Sequence, residues 1–329
     1  MTKLVAQIAA LFVLICIAFG AYEMYLRSPS AGAPEKTIAI ANNETMPQIS
    51  AQLKEAGIIS SEPLFSVAAE LYGEAAKIHP GSFVMKQGMS ISSVLATLRY
   101  VGKNEVSVTI PEGFDLSDIA SRLVSSGVIA KAEDFYAAGG KPGEKTALDP
   151  ALLKDYPFLA GAPNLEGYLF PDTYRFYAPS APADVVRKML DEFKAKTQGL
   201  SLTPNDLTLA SIVEKEVPGA DDRALVADIF LRRLKTGMPL QADSTVNYAL
   251  QKSDLNLNDA DLATNSAYNT YKNAGLPPGP ISNPGLSAMN AVLLPKANSF
   301  WYFLTTKDGI VIYSKTLDQQ NEMKAKYLQ

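Results

Sequence analysis

The hydrophobic and polar positions of this chain fall into three regimes. Residues Leu4 to Tyr22 are almost wholly apolar, interrupted only by Gln7. Nineteen residues in helical geometry, at about 1.5 Å each, nearly cross a bilayer core, so the run predicts a single membrane helix. The small-residue stretch Ala31-Gly32-Ala33 offers a cleaved leader as the alternative. It lies about ten residues beyond the run, which favours an uncleaved anchor. Ile15 before Cys16 is not the small residue a lipoprotein needs. Lys3 and the N-terminal amine precede the run and Glu23 and Arg27 follow it, a weak bias that predicts export of the body of the chain across the membrane.

The second regime follows a short linker, Ser28 to Lys36, and is an internal repeat. At an offset of 70 residues Ile38 matches Val108, Ile40 Ile110, Ile49 Ile119, Leu53 Leu123, Gly57 Gly127, Ile59 Ile129 and Phe65 Phe135. Each copy reads as a short strand, a turn, a helix with apolar residues at i and i+4, and a glycine where a left-handed helix cap is wanted. Between the copies Phe83-Val84-Met85 reads as a strand, and Ser90 caps a helix carrying Ile91, Val94, Leu95 and Leu98. Core packing accounts for these apolar stripes, and His79 before Pro80-Gly81 reads as a turn residue. The cluster Gly139-Gly140-Lys141-Pro142-Gly143-Glu144-Lys145 breaks the pattern and serves as a linker, since it lacks the spacing of a phosphate-binding loop.

The third regime mixes buried-type helices with polar loops. Residues 183–198 carry the stripe Val185, Val186, Met189, Leu190 and Phe193, and residues 224–235 carry Leu225, Ile229, Leu231 and Leu234. Between them runs Leu207 to Val217, capped by Thr203 with Pro204 in the first turn and Asp206 three residues after the cap, and stopped by Pro218-Gly219. Its last turn holds Glu214, Lys215 and Glu216, where the helix dipole disfavours negative charge. The two carboxylates lie about 200° apart around the axis, so at most one faces a given cleft. Periodicity does not choose between them, because both faces are apolar. A solvated helix end is the plain alternative to a catalytic role for either.

The aromatic stretch Leu165 to Phe176 and the segments Gln241 to Tyr248 and Asn265 to Tyr271 are rich in aromatic and neutral hydrogen-bonding side chains, which suit an uncharged polar ligand such as a glycan. Residues 301–305 and 309–313 read as a hairpin across Lys307-Asp308.

Composition narrows the chemistry. The chain has 329 residues, a formal net charge of −4 and no basic cluster, which argues against nucleic acid. One cysteine and one histidine leave zinc sites, disulfide frameworks and His-based triads unsupported, so an acid–base catalyst falls to a carboxylate, Lys or Tyr, with no metal or cofactor expected.

Five motifs in order, Leu165-Glu166-Gly167-Tyr168-Leu169-Phe170-Pro171-Asp172-Thr173-Tyr174, Ala210-Ser211-Ile212-Val213-Glu214-Lys215-Glu216, Leu240-Gln241-Ala242-Asp243, Ala267-Tyr268-Asn269-Thr270-Tyr271 and Leu276-Pro277-Pro278-Gly279, together resemble the YceG-like (MltG) family of endolytic murein transglycosylases. Ala267, where members often have proline, and Val217-Pro218 depart from the pattern. The resemblance implies an α+β protein with a cytoplasmic tail at 1–3, a transmembrane helix at 4–22, a linker at 23–36, a LysM-like repeat region at 37–140, a linker at 141–163 and a catalytic domain at 164–329. It implies a single-pass protein of the bacterial inner membrane, with its catalytic domain on the periplasmic side, that cuts nascent peptidoglycan strands to 1,6-anhydro ends. The implied partners are glycan strands, membrane lipid and peptidoglycan synthases.

The resemblance assigns Glu214 as the acid that later acts as base. Gln241, Asp243, Tyr268, Asn269 and Tyr271 become candidate substrate positioners, and Tyr168 and Asp172 candidate cleft residues. Two other readings of the same residues stand beside it: a glycoside hydrolase with Asp243 or Asp172 as second carboxylate, and a non-catalytic glycan-binding anchor.

Overall fold

The structure is a computed structural model that describes residues 14, 18–30, 32–41, 44–75, 78, 80–99, 105–252, 257–306 and 308–327. Most of the apolar run Leu4 to Tyr22, together with His79 and Lys307, lies outside those residues. Among the described residues no helix is long and apolar enough to cross a membrane. The chain is α+β: among the described residues there are many helices and three two-stranded sheets, pairing Glu35–Ile40 with Gly81–Lys86, Glu105–Thr109 with Thr173–Tyr177, and Tyr302–Thr305 with Val311–Ser314. It divides into two compact units, residues 1–106 with 175–184, and residues 107–174 with 185–329.

The first unit has the order strand, helix, helix, strand, helix. Strand Glu35–Ile40 runs antiparallel to Gly81–Lys86, with Glu35 opposite Lys86 and Ile40 opposite Gly81. Between them lie helices Met46–Glu55 and Glu62–Leu71, and after them comes Ile91–Arg99, where the Ser90 hydroxyl accepts the backbone N–H of Ser93 at 3.2 Å. The core is built from Ile38, Ile40, Ile49, Leu53, Phe65, Met85, Ile91, Val94 and Leu98.

The repeat has a structural counterpart at every matched position. Ile49 and Ile119, Leu53 and Leu123, Ile59 and Ile129, and Phe65 and Phe135 are all buried. The helix ends also agree. Gly57 and Gly127 take φ of 74° and 73°, which suits a residue without Cβ, and the next amide in each copy donates back to the carbonyl of Leu53 or Leu123. The first copy lies in the first unit and the second in the second unit.

The second unit is organised around helix Pro204–Glu216. Thr203 and Asp206 form a reciprocal capping box, and seven consecutive residues, Leu207 to Val213, are buried. A helix apolar all round must be enclosed on every side. Here Leu286–Leu293, Ala220–Thr236 and Asp243–Leu250 surround it. Helix Ala220–Thr236 starts four residues before the apolar stripe did and buries a different face: Arg223, Val226, Ala227, Ile229, Phe230 and Arg233, with Leu225, Leu231 and Leu234 only half buried. The two buried arginines hold polar partners that periodicity does not register. A closing helix, Leu317–Tyr327, follows the hairpin; it buries only Gln320 and so carries no apolar stripe.

Leu123 is fully buried in the second unit. Leu123→Ala should cost about 2–5 kcal/mol of unfolding free energy, through lost transfer and the cavity left behind. Denaturant unfolding checks this, and a cost below about 1 kcal/mol would contradict the packing described.

Candidate active site

The helix Pro204–Glu216 delivers two carboxyl groups in opposite directions. Val217 leaves the helix in an extended conformation, so Glu214 and Glu216 sit in its last turn, at the negative end of the helix dipole. Both side chains are shielded, which at that end of a helix demands partners.

Glu214 is held in a polar clamp. Its Oε1 is paired with Arg223 Nη2, and its Oε2 accepts the backbone N–H of Gly285 at 3.1 Å. Arg223 also meets Glu112 at 3.7 Å and donates from Nε to the carbonyl of Val217. The loop Pro111-Glu112-Gly113 closes over this pair: a Cβ on Gly285 would stand 1.8 Å from Glu112 Oε1, so a side chain there would displace the Glu112 carboxylate. Burial pushes the Glu214 carboxyl up, the Gly285 amide and the Arg223 guanidinium pull it down, and the Glu112 charge pushes it up again; the net direction is upward.

Glu216 turns the other way, into a cleft of about 650 Å³ whose lining also includes Gln241, Asp243, Ser244, Tyr271 and Arg233. Ser244 donates to Glu216 Oε1 twice, from its hydroxyl at 2.6 Å and its backbone N–H at 3.3 Å. Burial raises the Glu216 carboxyl to about 7; the Asp243 charge adds to that, while the Ser244 donors and Arg233 oppose it. Arg233 is itself buried, donating from Nη2 and Nε to the carbonyl of Trp301 at 2.6 and 3.1 Å and lying 5.3 Å from the Tyr302 ring centre. It brings positive charge to the cleft without closing on the acid.

The expected positioners divide. Gln241, Asp243 and Tyr271 line the cleft with Glu216. Gln241 adopts φ of 52°, a strained conformation for a side-chain-bearing residue, fixed by its amide donating to Thr270 O at 3.2 Å. Tyr271 donates its hydroxyl to Asp243 Oδ1; burial raises the phenol, and the Asp243 charge and this hydrogen bond add to it. Thr270 supports both segments: its hydroxyl accepts the Ala242 amide and bonds the Thr245 hydroxyl at 2.9 Å.

The other four lie elsewhere. Asn269 is fully buried and spends its side-chain amide on the carbonyls of Leu262 and Thr264, shaping the loop. Tyr268 packs on Tyr248, 4.9 Å between ring centres, and lines a separate pocket with Gly143, Lys145 and Ser266. Tyr168 is buried against Phe158 and Phe193, and Asp172 accepts the Thr173 amide and is bridged to Lys196 at 3.2 Å, which together hold its carboxyl below the usual range. These four are not among the residues lining the Glu216 cleft.

Two features of the site carry little trace in the sequence. Gln320 and Lys324 form one wall from the closing helix, whose polar composition hides it. Glu166, fully buried, accepts from the Leu116 amide, the Tyr248 hydroxyl and the Asn283 side-chain amide, and burial raises it well above the usual range. Asn283 in turn accepts the Leu169 amide and donates to Phe114 O, so this hub fixes the loops flanking Glu214. An acidic residue inside an aromatic run was the available sign.

The YceG-like family model matches residues 38–326, and the chain belongs to the YceG-like family. It is 32% identical to the endolytic murein transglycosylase of Bacillus subtilis over 309 residues, covering 88% of this chain and 84% of that protein. It is 29% identical to the endolytic murein transglycosylase of Streptococcus pneumoniae over 325 residues, covering 89% of this chain and 58% of that protein. Among solved structures a yceG-like protein of Listeria monocytogenes superposes with a TM-score of 0.58 at 32% identity, covering 89% of this chain and all of that one.

Because the folded Glu216 holds its proton up to about pH 7 and the unfolded group releases it near 4.5, the stability tied to the protonated form is full below 4.5 and is lost as pH rises through 7. Glu216→Gln mimics the protonated acid and cannot ionise. The thermal midpoint of the variant minus that of the parent should be near zero at pH 4.5 and clearly positive at pH 8, the Glu166 titration cancelling in the difference. A gap independent of pH would contradict the burial of this carboxyl.

Proposed function

We propose that this chain is an endolytic murein lytic transglycosylase in which Glu216, rather than Glu214, is the catalytic acid and base. The observation that carries the reading is a shielded carboxyl, raised to about 7, opening on a cleft whose lining combines hydrogen-bonding side chains such as Gln241, Ser244, Asn247 and Tyr271 with the charged Asp243, Arg233 and Lys324. The two relatives carrying the name endolytic murein transglycosylase support the substrate class. Glu214 is the acid implied by the resemblance, but both of its oxygens are engaged, one by a guanidinium that favours the charged form.

The reaction needs one carboxyl. Protonated Glu216 gives its proton to the glycosidic oxygen as the bond from C1 of N-acetylmuramic acid breaks. The carboxylate then takes the proton of the 6-hydroxyl of the same sugar while O6 bonds to C1, leaving a 1,6-anhydro end and a restored acid. Both Ser244 donors fall on Oε1, which leaves Oε2 as the oxygen that handles the proton. Burial holds the proton on Glu216 toward neutral pH, and the charge of Asp243, held by Tyr271, adds to that. Gln241 and Tyr271 present hydrogen-bonding groups to the sugar.

The apolar run Leu4 to Tyr22 supports a single-pass anchor in the bacterial cytoplasmic membrane with the catalytic unit outside, and the strand-helix-helix-strand unit that follows is read as a LysM-like glycan-binding module.

Digestion of purified murein tests this reading. Glu216→Gln should lower the rate by about 10²–10⁴-fold, the range expected for loss of a general acid, whereas Glu214→Gln should lose far less. The reverse order would move the chemistry to Glu214. Mass spectrometry of the products should show anhydro ends; ends heavier by one water would make the enzyme a hydrolase, with Asp243 as its second carboxylate. For the parent, kcat/KM should fall as pH rises through about 7, since the acid must be protonated, and Asp243→Asn, by removing a charge that raises the acid, should move that fall to lower pH. An unmoved profile would remove Asp243 from the site's electrostatics.

A further inference from the structure

The first unit carries an exposed apolar surface that neither its core nor the proposed reaction uses. On helix Glu62–Leu71 the buried side is Phe65, Ala68 and Ala69. The opposite side presents Pro63, Val67 and Leu71 at intervals of four residues, all exposed, and Tyr72 continues it. The segment Tyr22–Leu26, which leads out of the N-terminal apolar run, adds Tyr22, Tyr25 and Leu26. Relative exposures at Tyr22, Tyr25, Leu26, Val67, Leu71 and Tyr72 run from 49% at Tyr22 to 76% at Leu71. The two sets meet where the Tyr25 and Tyr72 hydroxyls bond at 3.0 Å.

Tyr22–Leu26 is also fastened to the module. Glu23 is buried, pairs with Arg27 at 2.9 Å and accepts from the Ser60 hydroxyl, and Met24 packs against the core of the unit. A chain that leaves a bilayer at Tyr22 and is bolted to a folded module within four residues brings that module to the membrane surface. The side chains shown there are two tyrosines, a third tyrosine at the exit, and aliphatic residues, a composition suited to the boundary between acyl chains and headgroups. Glu62 and Glu70 flank the stripe, so attraction to anionic headgroups does not supply the contact.

We propose that this surface rests in the interface of the lipid bilayer, so that the first unit is seated on the membrane rather than tethered above it. The proposal depends on the reading of Leu4 to Tyr22 as a membrane span. Its occupant is the lipid surface, and zwitterionic lipid suffices.

The test uses the full chain in phosphatidylcholine vesicles, with Cys16→Ala as background and one nitroxide label at a time at Val67→Cys, Leu71→Cys or Ala10→Cys. Collisional relaxation by oxygen, which concentrates in lipid, is compared with relaxation by a water-soluble nickel chelate. Relative to a free label in water, labels at 67 and 71 on the protein in vesicles should show more relaxation by oxygen and less by nickel, and the label at 10 should do so more strongly. If 10 is in lipid while 67 and 71 collide with nickel like a free aqueous label, the span stands and the seated surface is wrong. If 10 is in water, the span itself fails and the proposal falls with it.

Discussion

Everything in the second unit follows from burying the C-terminal end of helix Pro204–Glu216. The helix shields seven consecutive residues and then both acids of its last turn, and a shielded carboxyl needs partners inside the protein. Because Glu214 and Glu216 point in opposite directions, the fold supplies two environments of different character. One is a clamp of Arg223 and the Gly285 amide that satisfies a charge. The other is a cleft in which two donors from Ser244 only partly offset desolvation, and in which Asp243 works against ionisation. The same burial that costs stability at Glu216 above neutral pH is what lets it hold a transferable proton.

The supporting structure is made of polar groups that tie loops to this helix. Ser211, fully buried, accepts the Ile281 amide at 3.0 Å on its hydroxyl and the Ser282 hydroxyl on its carbonyl, which fastens the proline-rich loop along the helix. Glu166 and Asn283 connect the Phe114, Leu169 and Tyr248 segments, and the Gly113 amide donates to Asn283 O at 2.9 Å, so the loop that covers Glu214 is set by a buried carboxyl far from it in sequence. Thr270 does the same for the cleft, holding Gln241 and Ala242 in place. A buried polar network of this kind fixes geometry because every unmade hydrogen bond is costly.

Much of this was legible in residue patterns. The repeat was visible because each matched apolar position is a core position and each matched glycine is a left-handed helix end. The acid helix was visible through its cap, its proline stop and its anomalous charges. The choice between its acids was not, since an enclosed helix has no solvent face to break the symmetry. Gln241, Asp243 and Tyr271 stood out as hydrogen-bonding side chains and do meet in the cleft, but the same criterion also selected Asn269, which is consumed by its own loop, and Tyr168, which is core. Arg233 and Gln320 escaped notice because a charged or amide side chain inside a helix reads as surface until its carbonyl partners are known.

The central claim is the protonation state of one side chain. Carbon-13 NMR of the Glu216 carboxyl, assigned by comparison with Glu216→Gln in the full-length protein, measures it directly. A titration midpoint close to 7 is the result predicted here. A midpoint near the ordinary 4.5 would mean that Glu216 is ionised at neutral pH, and it would contradict the account of this site.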